Sequence, residues 1–162
     1  MKEAPGAIFR VAISLGSNLG DRRAHLDYAI DALKLDLEDV AVSSFLETQP
    51  VGVGPEHGVY LNAAVVGRTQ LPPRLLMERL LEIEEDRGRV RPYPLAPRTL
   101  DADLVLYGDR IIEEDWLSVP HPRFREREFV LRPLAEIAPD MIDPVTRKSI
   151  AELFVSQGDD RI

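Results

Sequence analysis

At 162 residues and 44% hydrophobic, the chain is long enough for one well-formed core and too short for two ordinary domains, so a single domain spanning residues 1–162 is expected. A net charge of −8 argues against a nucleic-acid partner, which needs a basic surface, and no apolar run is long enough to suggest a membrane span or a leader. The absence of cysteine excludes disulfides and thiolate metal sites, and a cytoplasmic, monomeric protein is expected.

Phe9 to Leu15 alternates as a first strand and ends at Gly16 in the turn GSNLG. That turn lacks the lysine and hydroxyl of a P-loop, so it reads as a tight connection from which Asn18 can hydrogen-bond a ligand. A helix starts near Asp21, a good N-cap, and carries Leu26, Ile30, Leu33 and Leu37 on one face. Val40 to Glu47 reads as a second strand. Thr48 to Gly58, rich in glycine and proline, reads as a long loop, and long loops in compact domains usually serve function. Tyr60 to Val66 is a third strand on which Tyr60 and Asn62 share a face, so a flat ring can stack on the phenol while the amide reads its polar edge.

Pro72 and Pro73 open a second helix, whose Leu76, Leu80 and Ile83 lead up to Gly88. An arginine- and proline-rich loop, Arg89 to Arg98, follows. Next comes the segment that carries most of the chemistry, PRTLDADLVLYG from Pro97 to Gly108. On a strand, Asp101 and Asp103 lie on one face about 6.6 Å apart. Leu100, Ala102, Leu104 and Leu106 are expected on the other face, with Val105 and Tyr107 continuing the acidic one. Two like charges at the edge of a core call for a cation between them, and a divalent metal is the natural candidate.

Arg110 to Ile112 reads as a short strand, Glu126 to Ile137 as a helix containing Pro133, and Ser149 to Val155 as a short terminal helix. Arginine supplies all but three of the 20 basic residues, and its clusters are Arg87, Arg89, Arg91 and Arg98, then Arg123, Arg125, Arg127 and Arg132. Planar guanidinium groups suit phosphate, so two basic patches on an acidic chain point to a small polyanion such as a nucleoside triphosphate. In VPHPRFRER, prolines on both sides fix His121 beside these arginines. The order strand, helix, strand, strand, helix, strand predicts an α+β, ferredoxin-like β-α-β-β-α-β sandwich, helices on one face of an antiparallel sheet and the other face free for a ligand.

Taken together and in order from about Val11 to Asp140, GSNLGDR, SSFLETQPVG, YLNAAV, IEEDRGRVR, PRTLDADLVLYG and the VPHPRFRER segment resemble the 6-hydroxymethyl-7,8-dihydropterin pyrophosphokinase family of folate biosynthesis. The resemblance implies the same ferredoxin-like fold and transfer of diphosphate from ATP to the hydroxymethyl group of a reduced pterin, with release of AMP. It implies that Asp101 and Asp103 hold two Mg2+ ions and that Arg89 and Arg98 are catalytic. Glu84, Arg89, Arg91, Arg98, His121 and Arg127 are then the ATP-binding positions. Thr48, Pro50, Val51, Gly52, Tyr60, Asn62 and Phe129 match the pterin pocket, with Tyr60 and Phe129 expected to sandwich the ring. The chain departs from the family pattern where Pro94, Leu95 and Ala96 replace an Arg-Trp-Gly run, and Gln49 replaces a proline found in some relatives.

Overall fold

In a computed structural model that describes residues 6–49, 59–88 and 99–159, the alternating segments assemble into one antiparallel sheet with apolar cores on both faces. Its strands are β1 (Phe9–Ser17), β2 (Glu38–Val42), β3 (Leu46–Thr48), β4 (Tyr60–Thr69) and β5 (Asp101–Tyr107). The order is β2-β4-β1-β5, with β3 also paired to β4. Helices α1 (Arg22–Asp36) and α2 (Pro73–Asp86) connect β1 to β2 and β4 to β5. This is the expected ferredoxin-like α+β arrangement.

Asp21 caps α1 by accepting from the Ala24 N–H at 3.1 Å, and Pro73 opens α2, where a missing N–H costs nothing. The apolar stripes of the two helices, Leu26, Ala29, Ile30 and Leu33 with Leu76, Leu80 and Ile83, close over Val11, Ile13, Leu15, Ala63, Val65, Ala102 and Leu104.

Among the described residues, the opposite face is covered over half its length. After a small hairpin of β6 (Ile112–Glu114) and β7 (Leu117–Val119) and a 3-10 turn (Phe124–Glu126), helices α3 (Glu128–Ile137) and α4 (Ile150–Asp159) cover one end of it. Ala12, Ala64, Val66, Val105 and Leu106 meet Phe124, Leu131, Leu134 and Ile150 there. The start of α4 is a reciprocal box: the Ser149 N–H donates to Glu152 Oε1 and the Glu152 N–H to Ser149 Oγ, both at 3.1 Å.

Three expectations change. The second strand breaks at Ser43 into β2 and β3, because the Ser43 hydroxyl accepts from the Ala64 N–H at 2.8 Å and donates to the Ser44 carbonyl at 2.8 Å, competing with the regular ladder. The short strand after Gly108 starts at Ile112 and pairs with β7, which the sequence reading did not anticipate. Third, β5 is bulged: Ile13 faces Leu104 while Ala12 faces Leu106, so Val105 is an extra residue. Val105 stays on the acidic side, as expected. Beyond it the parity inverts, so Leu106 also lies in the α3/α4 core and Tyr107 turns to the α1/α2 side, where its hydroxyl donates to the Leu71 carbonyl at 2.5 Å.

Candidate active site

The end of the α3/α4 face that the described residues leave uncovered is built by register. Directly opposed residues of an antiparallel pair project to the same side, and one such row runs Leu46, Asn62, Gly16, Asp101 across β3, β4, β1 and β5. The next row runs Ala64, Ser14, Asp103. Both acids are half-buried and share the face with buried Ser14 and Asn62. Glycine at position 16 matters: a Cβ there would lie 3.3 Å from Asn62 Oδ1 and 3.9 Å from Tyr60 Cδ1, so a side chain would push into the space between the amide and Asp101. The motif reading treated GSNLG as a turn and missed this role, although a glycine inside a strand signals close approach.

Asn62 is 3% exposed, and its amide nitrogen donates to Thr48 Oγ1 at 2.7 Å and to the Leu46 carbonyl at 3.2 Å. Thr48 also faces Tyr60 across the β3/β4 ladder, so three predicted pterin positions are brought together. Arg22, at the start of α1, braces them: it donates to the Val59 carbonyl at 2.7 Å and pairs with Glu47 at 3.1 Å. Phe129 lies on the first turn of α3, half-buried against the core, with the Arg127 guanidinium 5.6 Å from its ring centroid. Pro50, Val51 and Gly52 lie outside the described residues.

On the other side of the acids, the bulge gives the Val105 carbonyl a new partner. The His121 N–H donates to it at 3.0 Å, docking the VPHPRFRER segment on the strand that carries Asp101 and Asp103. His121 Nδ1 accepts from the Arg123 N–H at 3.2 Å, which leaves Nε2 as the protonated nitrogen of the neutral ring. Burial, then the nearby Arg127 and Arg123 charges, hold this imidazole below its ordinary value. Arg125, grouped with Arg127 in the sequence, is engaged elsewhere: its fork binds the carboxylate of Asp143.

Glu84, expected at the nucleotide, is 5% exposed on α2 and accepts from the Ala102 N–H at 2.8 Å, bracing the backbone between the two acids. Arg87 is the C-cap residue of α2. Its Nε donates to His25 Nδ1 at 3.0 Å and its guanidinium stacks 4.8 Å from the Tyr28 ring centroid. Arg89, Arg91, Arg98 and the Pro94–Ala96 departure lie outside the described residues.

Among the described residues no third histidine or acid joins Asp101 and Asp103 to complete a metal cage. A carboxylate pair of this kind fits Mg2+, which keeps waters and completes its octahedron with substrate phosphates instead of an all-protein shell. A separate cleft of about 360 Å³ lies between Arg10, Asp39, Arg68 and Asp140, at the far end of the sheet from the acids. There Arg10 and Asp140 pair at 2.8 Å.

The family profile for 7,8-dihydro-6-hydroxymethylpterin-pyrophosphokinase matches residues 12–139. The 2-amino-4-hydroxy-6-hydroxymethyldihydropteridine pyrophosphokinase of Synechocystis is 43% identical over 144 residues, covering 88% of this chain and 73% of that protein. Its namesake from Bacillus subtilis is 45% identical over 127 residues, 77% of this chain and 75% of that one. Among solved structures, a Plasmodium falciparum HPPK-DHPS crystal structure superposes with a TM-score of 0.75 at 15% identity over 93% of this chain, which spans only 45% of that longer protein and shares its fold. By its match over residues 12–139 and its identity to these relatives, the chain that sets Asp101, Asp103 and Asn62 on one sheet face belongs to the 7,8-dihydro-6-hydroxymethylpterin-pyrophosphokinase family.

Proposed function

We propose that this sheet face binds a reduced pterin at Thr48, Tyr60 and Asn62 and ATP across Asp101, Asp103, His121 and Arg127, and that diphosphate passes between them. The chain is a pyrophosphokinase of folate biosynthesis by family. The observation that carries the residue assignment is the shared row Asn62, Gly16, Asp101, in which the amide and the carboxylate sit on the two strands flanking β1 and only a glycine lies between them.

Asp101 and Asp103 are the residues to hold two Mg2+ ions. When bound, Mg2+ offsets the phosphate charge and keeps the attacking and leaving oxygens in line. The pterin hydroxymethyl oxygen forms a bond to the β-phosphorus, the bond from that phosphorus to the oxygen bridging to the α-phosphate breaks, and AMP departs with that oxygen while the hydroxyl proton is released. Positioning supplies most of the acceleration in such a transfer, and little covalent chemistry is asked of the protein. Asn62 and Thr48 fix the heterocycle, Tyr60 and Phe129 offer ring faces, and neutral His121 donates from Nε2 to a phosphate oxygen. Arg89 and Arg98 are the catalytic arginines in this reading, with Glu84 acting through the Ala102 backbone. ATP and the pterin are its substrates, with no nucleic-acid or membrane partner, and the chain acts as a cytoplasmic monomer.

Supplying ATP, Mg2+ and 6-hydroxymethyl-7,8-dihydropterin is expected to give AMP and the pterin diphosphate in equal amounts. ADP as the sole nucleotide product, or steady phosphate release from ATP without pterin, would contradict the reading.

A further inference from the structure

The 3-10 turn Phe124–Glu126 joins the two phosphate-facing residues of the site, His121 before it and Arg127 after it. Three residues of 3-10 helix hold little by themselves. Within the segment the contacts are short-range: the Phe124 N–H to the His121 carbonyl at 3.3 Å, and the Arg127 N–H to the Phe124 carbonyl at 3.2 Å. Outward, the Phe124 ring is fully buried, Gln157 Nε2 donates to the Glu126 carbonyl at 3.1 Å, and Arg125 meets Asp143. The segment is tied at its two ends, the His121 N–H to the Val105 carbonyl and the Arg127 carbonyl to the Val130 and Leu131 N–H groups, each at 3.0 Å, while between them the turn is held by a buried ring and one amide bond.

The Arg125 contact is of another kind. Nε and Nη2 bind the two carboxylate oxygens of Asp143 at 2.5 and 2.9 Å, and a two-point fork fixes orientation as well as distance. Asp143 is fully buried and immobilised, its oxygens also accepting from the Val145 N–H at 3.0 Å and Thr146 Oγ1 at 2.7 Å. Its own N–H donates to the Lys148 carbonyl at 2.9 Å, and its carbonyl accepts from the Arg147 N–H at 2.8 Å. The Arg125 guanidinium also stacks 4.8 Å from the Phe124 ring centroid. A buried ion pair is a poor way to gain stability, since apolar residues of equal volume commonly do as well. Its advantage is a defined direction.

We infer that Arg125 and Asp143 are positioning residues for nucleotide binding: their fork sets the rotation of the 124–126 turn and thereby aims His121 and Arg127 at the ATP phosphates. The inference rests on the proposed placement of ATP at those two side chains. Neither Arg125 nor Asp143 touches substrate in this scheme; of the pterin positions, Thr48, Tyr60 and Asn62 lie on β3 and β4 away from the turn, and Phe129, which follows it, is held by its own packing against the α3/α4 core.

The test is calorimetric binding of a nonhydrolysable ATP analogue with Mg2+, and separately of the pterin, to full-length wild type, Asp143→Asn and Arg125→Lys, with melting temperature measured alongside. Both variants are expected to lose about tenfold in analogue affinity while pterin affinity stays within about twofold. Steady-state kinetics should show the same split, with KM for ATP raised and kcat at saturating ATP little changed. If Asp143→Asn does not fold, Arg125→Lys, which keeps the charge but replaces the fork with a single ammonium, decides the question. Unchanged analogue affinity in a folded variant, or equal losses on both ligands, overturns the inference. Failure of wild type to form AMP would instead overturn the proposed reaction, and the two failures are read from different measurements.

Discussion

At the scale of single residues, the site is an exercise in sharing a face. Asp101 and Asp103 were legible in the sequence because a strand fixes parity over two residues, whatever the rest of the fold does. Tyr60 and Asn62 were legible on the same ground. What could not be read was the parity of LVLY after them, because an unbroken apolar run carries no alternation from which a bulge could be inferred. The Arg125–Asp143 fork was hidden for a different reason: the partners lie 18 residues apart with no periodic relation. Asp101→Ala or Asp103→Ala is expected to lower kcat by about two orders of magnitude or more at saturating Mg2+, since under the proposed function each removes a ligand for the metal that would offset the phosphate charge. Melting temperature should hold, because both acids are only half-buried and neither belongs to the apolar cores. Near-wild-type turnover in either variant would remove the carboxylates from the mechanism.

Elements position these residues through a few cross-braces. Arg22 is the clearest, joining the start of α1 to Glu47 on β3 and to Val59 just ahead of β4. Arg22→Ala is expected to raise KM for the pterin several-fold while leaving KM for ATP unchanged, because Thr48 and Tyr60 sit directly beside the two braced residues. An equal rise in both constants would assign Arg22 a general role in folding. By contrast, the Ser149/Glu152 box at α4 serves the core alone. Ser149→Ala should cost about 1 kcal/mol in denaturant unfolding with no change in either KM. The helices and most strands were predictable from periodicity and caps. The division of β2 from β3 was not, because it depends on a side-chain hydrogen bond of Ser43 to a strand distant in sequence.

For the whole molecule, acid is the condition to which stability responds. Burial lowers the His25 imidazole, with Arg87 adding to the effect, and burial with Arg127 and Arg123 lowers His121. In both cases the unfolded chain takes up the proton first, so the folded state is favoured above about pH 6.5 and loses ground as pH falls through the folded values. Asp143 behaves likewise at lower pH. Although burial pushes it upward, hydrogen bonds from Arg125, Thr146 and the Val145 N–H hold it below the ordinary carboxylate range, and its contribution disappears as it protonates. Calorimetric melting temperature is therefore expected to fall from about pH 7 to pH 5, and less steeply in His25→Gln, where Arg87 no longer disfavours a charge. A flat profile in wild type would contradict these shifts.

The surplus residue in β5 lets one strand obey two alignments, an acidic stretch on the face shared with Asn62 and Ser14 and an apolar stretch locked beneath α3 and α4. Excising Val105 would restore an ordinary ladder with Leu106 and Tyr107 still on their present sides, so the architecture should survive. The carbonyl that tethers His121 would go with it. Such a shortened chain should keep its grip on the pterin and lose its hold on ATP, making a single amino acid the joint between scaffold and chemistry.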